Sequence, residues 1–116
     1  MGLARELRER RTIPLREVSV SAWADEKGKP FKLYTRAITC YDLNELQKKH
    51  PNFLENTTIA AMVDLIILKA TDKGGERIFT NSEDRIDLMG EETSVISEIA
   101  NQMFADIETV ETKIKN

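Results

Sequence analysis

The sequence predicts an α+β domain, with an N-terminal β-hairpin and a short third strand packed with about four helices. The first of three observations is alternation of period two. Val18, Val20 and Ala22 alternate with Ser19 and Ser21, and Phe31, Leu33, Thr35 and Ala37 alternate with Lys32, Tyr34 and Arg36. The second is the stretch TTIAAMVDLIILKATDKGGERIF, residues 57–79, apolar at helical spacing on more than one side. The third is a pair of helix-start signals, Thr39 with Asp42 and Thr80 with Glu83, each ahead of a run of periodic apolar residues.

Residues 1–17 are expected to form a flexible basic segment, with Leu3 and Leu7 four apart among Arg5, Arg8, Arg10 and Arg11, ahead of Pro14. Glu6, Glu9 and Glu17 are interleaved with those arginines, which reads as a solvated tail rather than a nucleic-acid arm. A single domain is expected over 18–116, ending in a helical tail. The run Asp25-Glu26-Lys27-Gly28-Lys29-Pro30 supplies the loop of the hairpin. Trp23 beside that loop reads as the edge of the core, with recognition as the alternative.

In the next helix Thr39 caps, Asp42 completes a capping box, Ile38 staples onto Leu43, and Leu43 and Leu46 face inward until Pro51. His50 reads as a residue of that helix's C-terminal end, because no ligand, nucleophile or orienting acid lies near it in sequence. In the central helix, Ile59, Met62, Val63, Ile66, Ile67 and Ala70 form one stripe and Ala61, Leu65 and Leu68 a second. The polar strip around Asp64 and Thr71 is narrow. Such a helix must be covered on two sides, by its own domain, another copy or a partner. Asp72-Lys73-Gly74-Gly75 is expected to stop it, and Ile78-Phe79 to form the short strand. A short helix over Ile86, Leu88 and Met89 closes at Gly90. Ile96, Ile99, Met103, Ile107, Val110 and Ile114 then mark the last helical region, 91–114. For Ile107, Val110 and Ile114 a partner surface and a fold-back onto the domain both stand open.

The balance of 41% hydrophobic and 32% charged residues fits a globular domain and excludes a disordered chain. A formal charge of −3 gives no electrostatic pull toward nucleic acid or an anionic membrane. Asp64 and Lys69 interrupt the best candidate for a membrane span. The first residues lack a secretory apolar core, and the single cysteine, Cys40, forms no internal disulfide, so a cytoplasmic location is expected. No constellation points to catalysis, a metal or a cofactor. A thiol–imidazole pair of Cys40 and His50 has no third member nearby. Asp72-Lys73-Gly74-Gly75-Glu76 lacks both the alternating acids of an EF-hand and the Gly-Lys-Ser/Thr of a phosphate loop.

The order of these pieces resembles the tail assembly chaperones of long-tailed double-stranded DNA phages and prophages, from Val18 to Asn116. The pattern begins with Trp23 near the end of the first strand, LYTR (33–36) and ITCYDLNEL (38–46). It continues through ATDKGGERIFT (70–80), SEDRIDL (82–88), ISEIANQMF (96–104) and the ending ETKIKN (111–116). Order and spacing carry the resemblance, since no single motif is specific. The arginine-rich first 17 residues depart from the compact starts of that family.

The resemblance implies a non-enzymatic late protein of virion morphogenesis, acting in the host bacterial cytoplasm and absent from the mature particle. It implies a tape measure protein as client. It also implies tail tube protein as a partner through a longer frameshifted form. A structural tail component, such as a tube or completion protein, is the alternative reading. Many copies on one helical client would gain from weak homo-oligomerisation. Leu65, Leu68, Ile107, Val110 and Ile114 are the candidate contact residues, on the expectation that their stripes exceed what one small domain can cover.

Overall fold

The computed structural model describes residues 2–10, 15–80 and 82–104. It is α+β, as the sequence predicts, with five helices and one three-stranded antiparallel sheet of order β1-β2-β3 among the described residues. Helix α1 spans Leu3–Arg10, β1 Arg16–Val20, β2 Phe31–Thr35 and α2 Cys40–Lys49. Then follow α3 over Ile59–Lys69, β3 over Ala70–Thr71, α4 over Glu83–Met89 and α5 over Thr93–Met103.

The hairpin pairs Val18 with Leu33 and Val20 with Phe31. Its inner face carries Val18, Val20, Leu33 and Thr35, all buried, while Lys32 and Glu17 form an ion pair at 3.1 Å on the outer face. The first strand is shorter than the alternation suggests, because Ser21–Trp23 tighten into a 3-10 turn that takes Ala22 out of the sheet. Edge strand β1 is tied to α5 instead of to a fourth strand. The Gln102 amide accepts from the Ser19 N–H and donates to its carbonyl, and the Arg16 guanidinium donates to the last carbonyls of α5, Gln102 and Met103.

Helix α2 opens with the predicted reciprocal capping box. Thr39 Oγ1 accepts from the Asp42 N–H at 3.1 Å, and Asp42 Oδ2 accepts from the Thr39 N–H at 3.0 Å. Helix α3 is capped by Thr58 and packs against α2, α4 and α5. Its girth is sealed within the single chain: Ala61, Val63, Leu65, Ile66 and Ile67 are buried, and Met62 and Leu68 pack half-buried against the same core. Leu65, fully buried, is therefore not a partner-facing residue of the folded chain, and that expectation is corrected. A helix apolar on two sides needs an outside partner only if its own domain has nothing to put there, and here α2, α4 and α5 pack around α3.

The third strand also differs from the expectation. Helix α3 ends at Lys69, and the next two residues, Ala70 and Thr71, pair with Thr35 and Tyr34 of β2. Ile78 and Phe79 are not a strand; Arg77 bridges back to Thr71, and the Ile78 N–H donates to the Ala70 carbonyl at 3.3 Å. Asp72 to Glu76 is the tight turn between them, closed by the Asp72 N–H on the Glu76 carbonyl at 2.8 Å. Gly75 takes φ of +88° there, a conformation that favours glycine. The start of α4 is corrected as well. The acid that accepts from the Thr80 N–H, at 2.6 Å, is Asp84 rather than Glu83, and the Ser82 side chain makes no cap.

Helix α1, on the stretch expected to be a flexible basic segment, buries none of its residues. Residues Ile107, Val110 and Ile114 lie outside the described residues, and so does the reading of a C-terminal tail.

Candidate functional site

Two surfaces place functional side chains together. One is a polar cleft of about 520 Å³ where the C-terminal end of α2 meets α3 and α4, lined in part by Lys49, His50, Asp64, Leu68 and Arg85. His50 is the C-cap of α2, as its sequence position suggests, and its N–H donates to the Leu46 carbonyl. Its ring, however, has a partner that local sequence did not offer. His50 Nε2 lies 2.8 Å from Asp64 Oδ2, and the other Asp64 oxygen accepts from Arg85 Nε at 2.8 Å. The signal that points to this cluster is Asp64 itself. A carboxylate inside an apolar helix must find donors when it is buried.

Burial pushes the Asp64 carboxyl up, but hydrogen bonds from Arg85 and His50 and the charges of Arg85 and Lys49 outweigh it and hold it below its ordinary value. Asp64 in turn raises Arg85. A second partly buried ion pair joins the start of α2 to the end of α3. Lys69 Nζ donates to Asp42 Oδ2 at 2.7 Å. There too burial opposes ionisation, and Lys69 with the Thr39 cap overcomes it, leaving Asp42 lowered. The Asp64 triad is closed on itself: both carboxylate oxygens are committed to groups of the same chain. Its chemistry is that of a latch joining α2, α3 and α4. Leu68, half-buried, borders the cleft without reaching outside as a stripe.

Cys40 and His50 sit at opposite ends of α2, and a helix of ten residues separates its ends by roughly 15 Å, so no thiol–imidazole pair forms. The Asp72 turn is likewise self-satisfied, because Asp72 Oδ1 accepts from the Gly74 and Glu76 N–H groups. Among the described residues no group of three or more His, Cys, Asp and Glu side chains is placed to hold a metal ion.

The other surface is a groove of about 510 Å³ at the open end of the core. The inner face of β2 runs past the buried Leu33 to Phe31, which is 43% exposed. The 3-10 turn after β1 brings Trp23 beside it, at 6.0 Å between ring centroids, and the chain before α4 brings Phe79 to 6.3 Å from Trp23, both edge-on. Ile78 and Leu88 complete an apolar floor, and Asp84, Asp87 and Glu91 form an acidic rim. Trp23 Nε1 donates to Glu91 Oε2 at 2.9 Å, and that bond, with one from the Glu92 N–H, holds Glu91 below its ordinary value. Sequence reading had Trp23 as a lone aromatic at a strand end. The structure makes it the centre of an aromatic trio drawn from three separate segments.

No protein-family model, no curated protein and no solved structure matches the chain. No helix among the described residues is long and apolar enough to cross a membrane.

Proposed function

We propose that this chain is a non-enzymatic tail assembly chaperone that binds the tape measure protein and supports growth of a phage tail tube. The family resemblance supplies the biological setting, and the open aromatic groove is the observation that carries the binding role. Its floor is Trp23, Phe31, Ile78, Phe79 and Leu88. An amphipathic helix buries its apolar anchors in a groove of this kind, and an acidic rim favours anchors flanked by arginine or lysine. The alternative, a tube or completion protein, fits less well, since such components are β-rich and the described fold is mainly helical.

Leu65 leaves the set of contact residues under this reading, and Phe31, Trp23 and Phe79 enter it. The stripe of Ile107, Val110 and Ile114 is a further proposed contact. The test is co-expression with a long, helix-rich protein encoded by a neighbouring gene, followed by affinity capture. Wild-type chain is expected to retain it, and Phe31→Glu, at an exposed position, to lose it while keeping a native circular dichroism spectrum. Equal capture by Phe31→Glu, or no capture by the wild type, contradicts the proposal.

A further inference from the structure

Helix α1 is apolar where nothing covers it. Leu3 and Leu7, one turn apart on one face, are 67% and 53% exposed, and no residue of the helix is buried. At 3.6 residues per turn, Arg10 with Glu6 borders this pair on one side and Ala4 on the other, with Arg8 beyond Ala4. Arg5 and Glu9 are paired at 3.0 Å on the far side. A short helix with two leucines beside an arginine is the complement of the groove described above, with its aromatic floor and rim of Asp84, Asp87 and Glu91. The rim is not equally committed. Asp84 accepts from Thr80, and Glu91 accepts from Trp23, but no ion pair holds Asp87 among the described residues.

We infer that the aromatic groove seats α1 of a second copy of this chain, Leu3 and Leu7 on the floor and Arg10 against Asp87. The inference rests on reading the groove as a helix-docking surface. It names what fills that surface when no client is present. The contact is head-to-tail: each copy offers a helix to one neighbour and a groove to another. It therefore produces rings or open chains of copies rather than a two-fold dimer. Eight residues of helix with two anchors make a small contact, so the association is weak and yields to a client with more anchors.

Trp23 is the only tryptophan, so its emission reports on the groove alone. Sedimentation of the full chain up to about 1 mM is expected to show concentration-dependent association, accompanied by a blue shift of Trp23 emission. The double variant Leu3→Glu/Leu7→Glu, altered only at exposed positions, is expected to stay folded and to weaken association about tenfold or more. Phe31→Glu is expected to do the same from the groove side. Mixing these two variants is expected to restore a single contact, giving a one-to-one dimer and nothing larger. Undiminished association of the leucine variant, or a folded mixture that stays monomeric, overturns the inference. So does a wild-type chain monomeric at every concentration, including one whose α1 seats in its own groove. Client capture by the leucine variant is measured separately. If the wild-type chain fails to associate yet captures the client, only the α1 contact is wrong; if it associates yet captures no client, only the client reading is wrong.

Discussion

Helices α3 and α1 differ in a way opposite to what their sequences suggest. Helix α3 is apolar around most of its circumference, yet its own domain, with α2, α4 and α5 packed on it, consumes nearly all of that surface. Helix α1 carries only two large apolar side chains, and neither is covered. Apolar content along a helix therefore measures its demand for partners. Which partner meets the demand is decided by where the fold puts the helix. Among the described residues the exposed large apolar side chains lie on other elements, Leu3 and Leu7 on α1, Phe31 at the groove, and Tyr41, Ile86 and Met89 on α2 and α4, while α3, the helix richest in such residues, fully exposes none.

The largest effect that sharpens this contrast is at Leu65. Leu65→Ala is expected to lose about 2–5 kcal/mol of stability in urea unfolding, since the cavity is enclosed on every side. A loss below about 1 kcal/mol would mean that α3 is less sealed than described. Next comes the latch that holds α3 between α2 and α4. Asp64→Ala is expected to cost about 1–3 kcal/mol, because it strips the shared acceptor from His50 and Arg85. Smaller is the acid limb of the stability curve. Asp42 and Asp64 both titrate below their unfolded values, so the stability they contribute is complete above the ordinary carboxylate value of about 4. It drains away as pH falls through the lowered folded values. Asp64→Asn is expected to flatten that limb, measured as thermal unfolding between about pH 2 and 5. The smallest effect belongs to α1: Leu7→Glu is expected to move stability by less than about 0.5 kcal/mol in the dilute chain. A larger loss would place Leu7 inside a core.

The same contrast marks what could be read in the sequence. The hairpin, the Thr39–Asp42 box and the positions of α3 and, as far as Met103, the last helix are written in local periodicity and spacing, and the structure keeps them. The third strand is not legible in the sequence, because two residues carry no period. Ala70 and Thr71 continue the apolar run of α3, and only pairing with β2 makes them a strand. His50 and Asp64 are 14 positions apart on different helices, and nothing local links them. The groove is harder still, since Trp23, Phe31 and Phe79 each look ordinary alone and meet only through the tertiary fold. What remained hidden was coverage, which depends on every element at once.

Native-state hydrogen exchange at low and high protein concentration tests the division between a sealed centre and an unsealed helix most directly. The amides of 62–69 are expected to exchange only through global unfolding, equally at both concentrations. Residues 3–10 are expected to exchange freely when dilute and to gain protection when concentrated, together with the groove segments 23–31 and 78–88. Exchange of α3 as fast as α1, or protection that rises with concentration in α3 instead of α1 and the groove, would contradict the account.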